Sequence, residues 1–368
     1  VAIMLPAPAN AHSHAFQRAM AGLTESRGPD PRDTFWTWRR LMYRFLEQLT
    51  PEHVESIAAF VQMEMLEAGF AASVEFHYLH HGPDGEPYEK LSEMSARIAA
   101  AADESQIGLS LIPVHYEVGG CDQRALQGGQ RRFGNDLDRF SKLVAECQDM
   151  ATHMSADARV GVAAHSLRAV APEAPKTLPE LVPGGPHHMH LAEQQAEVDE
   201  VVAAYGKRPV EWLLENAELD SSWCLVHCTQ MQPHETTALA QTGAVAGLCP
   251  ITEGNLGDGF FDGVRWVEAG GHIAIGSDSN IKISLAEELR MLEYTQRLRD
   301  HSRAALATPA QSSGRHMFEL SAAGGALAAG RASGSIAAGN WADLLALDAN
   351  AIDLAERHGD GILDSFVF

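Results

Sequence analysis

Short apolar runs alternate with longer stretches of helical periodicity along most of this 368-residue chain. Eight short runs are predicted to be strands: 4–12, 72–78, 108–116, 159–165, 187–192, 223–228, 244–250 and 272–278. The stretches between them predict helices over 51–68, 91–105, 136–152, 194–205, 208–217, 233–242, 262–269 and 284–300. Eight strands with intervening helices favour an α/β fold, the (β/α)8 TIM barrel, over an open sheet.

The last part of the chain departs from this alternation. Residues 333–348 predict a glycine-containing turn and a short strand. We therefore divide the chain into a barrel, residues 1–330, and the C-terminal part of a small β-sandwich appendage, residues 331–368. The partner strands of the appendage are expected before residue 1. Because only eleven residues precede His12, we expect the sequence to lack its natural ends.

Charge and composition exclude several classes of partner. The formal net charge of −22 argues against nucleic acid and anionic membranes. No apolar run reaches the length of about 18 residues that a membrane span needs, and no signal peptide is recognisable. The five cysteines are an odd number without a C-x-x-C motif, which predicts a reducing, cytoplasmic location. Cys224 and Cys228 flank His227 and are interpreted as small buried residues.

Polar residues close the predicted strands, where a (β/α)8 barrel carries its chemistry. His12 and His14 are two residues apart, so both imidazoles project from one face of a strand. Similar polar residues end the later strands: His77, Tyr78, His165, His190, His227 and Asp278. A buried core does not explain so many polar strand ends, and the series therefore predicts a single site, one that includes a divalent metal.

Each of these residues also has a structural interpretation when it is taken alone. Glu193 could stabilise a helix start, and Asp278 could cap the turn that follows it. His227 could be a hydrogen-bonded core histidine, and His188 is interpreted as structural. Only their joint occurrence along the chain favours a catalytic site.

The order of these motifs resembles that of a known family. H-x-H at 12–14, H-x-x-E at 190–193, His227 and the Ser-Asp pair at 277–278 follow the pattern of the amidohydrolase superfamily, in its cytosine- and guanine-deaminase-like branch. Longer stretches resemble the formimidoylglutamate deiminases within that branch: HSHAFQRAMAGL (12–23), FWTWRRLMYR (35–44), EFHYLHH (75–81), HSLRAV (165–170), HMHLAEQQAEVD (188–199), TEGNLGDG (252–259), GSDS (276–279) and LEYTQRLRD (292–300).

The resemblance implies one divalent metal, with zinc as the default and Fe²⁺ or Mn²⁺ compatible with the same ligands. Its ligands would be His12, His14, His190 and Asp278, with one position open for water. A metal lowers the pKa of its bound water to about 7, which would supply hydroxide for attack on a C=N carbon. Glu193 would carry a proton to the departing ammonia and Asp278 would act as base. His227 would stabilise the tetrahedral centre, and a role in a second metal site stays open.

The implied reaction converts N-formimidoyl-L-glutamate and water into N-formyl-L-glutamate and ammonia, a step of histidine degradation. Two carboxylates on a small amidine call for arginine partners. The resemblance places Arg168 and Arg39 in this role, with Arg40 as a competing choice for the latter. Further substrate contacts are assigned to three residues: Gln17, Tyr78 and His165. A homodimer is common among the resembling proteins.

Three points stay open from sequence. A heterocyclic amine such as guanine or a pterin is the alternative substrate, and a non-catalytic barrel is the alternative outside enzymes. Trp36 and Trp38 are interpreted as loop packing. Pro250 and Gly254 depart from the pattern of the resembling chains, and we expect them to alter the loop after the seventh strand.

Overall fold

The computed structural model describes residues 2–27 and 34–368. Its strands are β1 (Ala2–Pro6), β2 (Ala9–Ser13), β3 (Ala72–His77), β4 (Gly108–His115), β5 (Arg159–Val160), β6 (Val162–Ala164), β7 (His187–Leu191), β8 (Trp223–His227), β9 (Val245–Leu248), β10 (His272–Ile275) and β11 (Leu344–Asp348). Its α-helices are α1 (Phe35–Leu46), α2 (Pro51–Glu67), α3 (Glu93–Ser105), α4 (Leu137–Ala151), α5 (Ala174–Thr177), α6 (Gln195–Tyr205), α7 (Pro209–Asn216), α8 (Pro233–Ala240), α9 (Pro250–Leu256), α10 (Gly263–Glu268), α11 (Leu285–Asp300), α12 (Ser313–Ala329) and α13 (Asp360–Val367).

Eight parallel strands form a nearly closed barrel. Their spatial order follows the chain, from β2 through β3, β4, β6, β7, β8 and β9 to β10, and β5 pairs only with β4. The circle closes where Ser13, at the end of β2, forms a parallel bridge with Asp278. Strands such as β4 are buried along their whole length because side chains fill the interior and helices cover the outside. The predicted (β/α)8 barrel is confirmed.

Helix α12 covers the end of the barrel where the strands begin. A Cβ on Gly324 would lie 2.0 Å from the carbonyl oxygen of Ile273, so only glycine permits this approach. The last turn of α12 also accepts a hydrogen bond from inside the barrel, from His188 Nε2 to the carbonyl oxygen of Ala328 at 2.8 Å. The structural role predicted for His188 is confirmed. Because this end is covered, the opposite end, where the strands finish, is the open one.

The predicted first strand, 4–12, is wrong in its extent, because it is two strands. Pro6 and Pro8 interrupt it, and β1 leaves the barrel to pair antiparallel with β11, from Ala2 opposite Asp348 to Pro6 opposite Leu344. A partner of β11 therefore lies within this sequence rather than before it. Helix α13 contacts α11 through a hydrogen bond from Arg290 to the carbonyl oxygen of Val367 at 2.7 Å. The division of the chain at residue 330 stays a prediction.

Cys224 and Cys228 are buried, as the sequence interpretation predicts. All five are buried and free, and burial raises the pKa of the Cys224 thiol far above its usual value. In the described part of the chain, we find no helix with the length and apolar character that a membrane crossing requires.

Candidate active site

Three imidazoles converge at the open end of the barrel. His12 lies on β2, His14 follows that strand, and His190 lies on β7. Their Nε2 atoms are close together, with 3.2 Å between His12 and His14 and 3.0 Å between His12 and His190. Asp278, just after β10, adds an oxygen 3.2 Å from His14 Nε2. The four residues proposed as ligands from sequence are therefore brought together.

This donor set fits a divalent cation. Burial holds the pKa of His12 and His190 well below their usual values and lowers that of His14 to about 3, so all three rings are neutral. His14 Nδ1 donates to the carbonyl oxygen of Phe76 at 2.9 Å, which leaves its Nε2 lone pair directed into the cluster. Tetrahedral zinc ligands at their usual bond lengths are about 3.3 Å apart. The spacing and the lone pairs are therefore those of a metal site.

Backbone contacts fix Asp278 against the first barrel strand. Its N–H donates to the His12 carbonyl at 2.9 Å, and its own carbonyl accepts from the His14 N–H at 2.9 Å. A Cβ on Gly276 would lie 2.7 Å from the His12 nitrogen, so glycine is required for this close approach. Burial raises the pKa of the Asp278 carboxyl to about 7. The same backbone contacts therefore close the barrel and bring the Asp278 carboxylate to the histidine cluster.

His227, at the end of β8, lies among three carboxylates. Its Nε2 is 3.9 Å from Glu193 Oε1 and 3.9 Å from Asp278 Oδ2, while its Nδ1 is 3.3 Å from Glu253 Oε1. Burial alone would lower the pKa of His227. The carboxylates, Glu193 foremost, outweigh burial and hold this pKa well above the usual histidine value. A protonated imidazole at this position supplies positive charge next to the residues that the sequence proposes as metal ligands.

Left-handed backbone conformations recur at these strand ends. The φ angles are +51° at Ala192, +72° at His227 and +47° at Asp278. Residues with a Cβ rarely occupy this region, which costs roughly 1–3 kcal/mol each and is common at functional sites. These positions lie at or just after the ends of β7, β8 and β10, beside the cluster.

A pocket opens above the cluster. All proposed catalytic and substrate-binding residues line it, as do three of the four proposed ligands; the fourth, His12, is fully buried beneath the pocket. The proposed residues on its wall are His14, Gln17, Arg39, Tyr78, His165, Arg168, His190, Glu193, His227 and Asp278. Arg40 is exposed and does not line the pocket, so the structure favours Arg39 of the two choices.

Two guanidiniums form one wall of the pocket, and neither has a carboxylate partner in the described part of the chain. Arg39 donates to the Tyr116 hydroxyl at 3.1 Å. Arg168 is 8% exposed, and its buried Nε has no hydrogen-bond partner among the described residues. Both lie beside the Trp36 ring, with distances from the guanidinium carbon to the ring centroid of 5.6 Å and 5.7 Å. The interpretation of Trp36 as loop packing is therefore wrong, because this residue is on α1 and contacts both cations.

Neutral polar groups complete the wall. Gln17 Nε2 donates to the Tyr78 hydroxyl at 2.8 Å, and burial raises the pKa of Tyr78 well above its usual value. Burial, with Arg168 and Arg39 nearby, lowers the pKa of His165, so its imidazole is uncharged. These side chains can donate hydrogen bonds without adding charge to the pocket.

Sequence reasoning missed residues that hold the named ones in place. Glu253 orients His227 and also accepts from the Cys249 N–H at 2.9 Å. Arg132 is buried and donates to the carbonyl oxygens of Leu49 and His81, both at 2.9 Å, which anchors the segment after α1. Glu253 lies within the TEGNLGDG stretch that resembles the family, but the sequence gives no sign that it contacts His227.

The two departures from the family pattern leave the local fold regular. Pro250 occupies the first turn of α9, where its missing N–H costs nothing. At Gly254, a Cβ would meet only Met291 Cε, at 3.9 Å. Helix α9 therefore forms through both positions, and it brings Leu256 to the pocket.

Comparison with known proteins agrees with this geometry. Residues 3–368 match the profile of the Amidohydrolase family. The chain belongs to the amidohydrolase family. Formimidoylglutamate deiminase of Pseudomonas aeruginosa is 47% identical over 99% of this chain and 80% of its own length. The resemblance seen in the sequence motifs is thereby confirmed.

Solved amidohydrolase structures share the fold. The crystal structure of an amidohydrolase from Brucella melitensis aligns with a TM-score of 0.95 and 47% identity, over 99% of this chain and 81% of that one. An adenosine deaminase from Xanthomonas campestris, solved with bound zinc, aligns with a TM-score of 0.81. The alignment covers all of this chain and 76% of the adenosine deaminase chain. At 21% identity, it shows the fold alone.

Proposed function

We propose that this amidohydrolase hydrolyses N-formimidoyl-L-glutamate to N-formyl-L-glutamate and ammonia. The observation that carries the proposal is the pair of guanidiniums, Arg39 and Arg168, without carboxylate partners in the described chain and in one pocket with the histidine cluster. A guanidinium that is largely removed from water, as that of Arg168 is, is stabilised by an anionic partner. A substrate with two carboxylates and one hydrolysable C=N bond fits this pocket, because the carboxylates can bind the guanidiniums while the C=N bond lies at the histidine cluster. The 47% identity to a formimidoylglutamate deiminase supports the same assignment.

The proposed metal is zinc, held by His12, His14, His190 and Asp278. When bound, a divalent metal acts as a Lewis acid that makes water nucleophilic at neutral pH. Imidazole and carboxylate ligands suit zinc, and Fe²⁺ or Mn²⁺ are the other candidates.

The proton transfers are assigned to two carboxylates. Asp278 is assigned as the base that accepts a proton from the attacking water, because its carboxylate lies between His14, at 3.2 Å, and His227, at 3.9 Å. Glu193, which is 6% exposed, delivers a proton to the amidine nitrogen so that it leaves as ammonia. Protonated His227 lies 3.9 Å from both carboxylates and stabilises negative charge on the tetrahedral centre.

Recognition of the substrate is assigned to the arginine wall, opposite the histidine cluster. Arg168 and Arg39 each bind one substrate carboxylate, and charge-assisted hydrogen bonds of this kind are directional. Gln17, Tyr78 and His165 donate the remaining hydrogen bonds. The hydrophobic sides of the pocket, including Phe35 and Trp38, exclude water around these contacts.

The test is an ammonia-release assay with formimidoyl-L-glutamate, formimidoyl-L-aspartate and guanine. We expect activity with the first, weaker activity with the second and none with guanine. Arg168→Met should lower kcat/KM for formimidoyl-L-glutamate about 100-fold or more, because a buried carboxylate loses its partner. Arg40→Met, an exposed neighbour of the pocket, is the matched control and should leave the reaction unchanged. Guanine turnover, or an Arg168→Met enzyme of normal activity, would reject the assignment.

Compartment and assembly are part of the same proposal. Five buried free thiols suit a reducing compartment, so we assign the enzyme to the cytoplasm. A homodimer is proposed by analogy with relatives, and size-exclusion chromatography with light scattering tests it.

A further inference from the structure

We propose that Trp36 sets the distance between the two substrate-binding guanidiniums and thereby selects the length of the dicarboxylate. This inference rests on the proposed function for the identity of the substrate. The role is one of positioning, because Trp36 does not line the pocket and faces the arginines rather than the reacting atoms.

The geometry joins two distant parts of the chain through one indole. Trp36 and Arg39 are three residues apart on α1, so they share a face of that helix. Arg168 comes from the segment after β6. Both guanidinium carbons lie within 5.7 Å of the same ring centroid, inside the range of a cation–π contact.

The two arginines differ in how many other groups hold them. Arg39 also lies 5.4 Å from the Tyr43 ring and donates to the Tyr116 hydroxyl. Arg168 makes no such hydrogen bond to any described residue, and its guanidinium lies over the Trp36 ring. The Trp36 indole contacts both guanidiniums and therefore fixes the position of Arg168 relative to Arg39.

A neutral ring suits this task better than any charged group. Two guanidiniums on one wall repel each other, and the repulsion is strong where water is scarce. The electron-rich face of tryptophan attracts each cation without neutralising it. Both cations therefore stay available for carboxylates, at a spacing fixed before the substrate arrives, which lowers the cost of binding. A dicarboxylate one methylene shorter fits that spacing less well.

The experiment uses three single variants of the whole chain. Trp36→Leu removes the ring and keeps an apolar side chain, and Trp36→Phe keeps a smaller ring. Trp341→Leu is the matched control, since Trp341 is 39% exposed, close to the 38% of Trp36, and no described cation lies over its ring. For each, kcat and KM are measured with formimidoyl-L-glutamate and formimidoyl-L-aspartate, and the dissociation constants of glutarate and succinate are measured directly by calorimetry.

We expect Trp36→Leu to raise KM for formimidoyl-L-glutamate about tenfold and to leave kcat within about twofold. The preference for the longer substrate, and for glutarate over succinate, should fall about fivefold or more. Trp36→Phe should restore part of each effect. In the Trp36→Leu, Arg168→Met double variant, the two changes should be less than multiplicative, because they act on the same contact.

Three results would overturn the inference: an unchanged KM, a fall in kcat alone, or an equal loss for the long and short ligands. Thermal unfolding identifies a Trp36→Leu chain that fails to fold, and Trp36→Phe then carries the test. If the wild-type enzyme releases no ammonia, the proposed function fails. The glutarate and succinate constants still decide the role of Trp36 in that case.

Discussion

The metal-binding end of the pocket and its arginine wall are built in different ways. His12, His14, His190 and Asp278 each lie on a barrel strand or within three residues of its end, and backbone hydrogen bonds between neighbouring strands fix them. On the wall, Arg39 is carried by α1, outside the barrel. The comparison shows that barrel topology dictates where the chemistry lies, whereas recognition depends on contacts between connecting segments.

The residues at the two ends of the pocket are also held in place by different contacts. At the metal-binding end, a single glycine, Gly276, permits strand contact with His12, and left-handed backbone positions lie beside the cluster. Near the wall, Arg132 anchors the segment that follows α1 through backbone carbonyl oxygens, and Trp36 connects the two cations. We therefore expect substitutions at the metal-binding end to abolish activity and substitutions in the wall to change substrate affinity and choice.

The largest predicted effect separates two histidines on the same strand. His190→Asn removes one of three converging imidazoles, so metal content and ammonia release should both fall to background. His188→Asn, two residues earlier, removes only the hydrogen bond to the Ala328 carbonyl. That control should keep its metal while the free energy of unfolding falls by about 1–3 kcal/mol. Elemental analysis measures the metal content and thermal unfolding measures the stability of each variant. Equal metal loss in the two variants would contradict the assignment of His190 as a ligand.

A smaller effect is expected when the metal-binding end keeps its ligands but loses a proton carrier. Glu193→Gln should lower kcat by roughly 10²–10⁴ with little change in KM, because general acid catalysis is lost while the arginines remain. Asp199→Asn, exposed on the next helix, serves as the control. Steady-state kinetics with formimidoyl-L-glutamate distinguish this result from a rise in KM alone, which would place Glu193 in substrate binding instead.

The smallest of these effects concerns the orientation of His227. Glu253→Gln removes the charge beside His227 Nδ1, and a hydrogen bond to a charged group contributes about 1.5–3 kcal/mol, so kcat should fall roughly 10- to 100-fold. The exposed Glu268→Gln variant controls for the loss of a negative charge. An unchanged kcat would mean that β8 alone orients the imidazole.

The metal-binding end could be predicted from sequence because its rules are local. Residues two apart on a strand share a face, and parallel strands of a barrel end at the same side. The pair His12 and His14, followed in order by His190, His227 and Asp278, therefore had to converge once eight strands were recognised. Their roles in catalysis stay proposals, whereas two overlapping clusters that share His12 are observed: His12, His14 and His190, and His12, His227 and Asp278.

The wall could not be predicted in this way because its contacts join residues far apart in the chain. Nothing in FWTWRRLMYR shows that Trp36 meets Arg168, or that Arg39 meets Tyr116. The strand prediction 4–12 failed for a related reason: β1 pairs with β11, from the far end of the chain, and only the prolines at 6 and 8 mark its separation from the barrel.

The most direct test of convergence is an anomalous-diffraction map of crystals of the zinc-loaded enzyme. We predict one zinc peak within about 2.0–2.2 Å of Nε2 of His12, His14 and His190 and of a carboxylate oxygen of Asp278. A peak bound elsewhere, or a fully loaded enzyme with His190 or Asp278 outside bonding distance, would contradict the proposed metal site and the deiminase mechanism built on it.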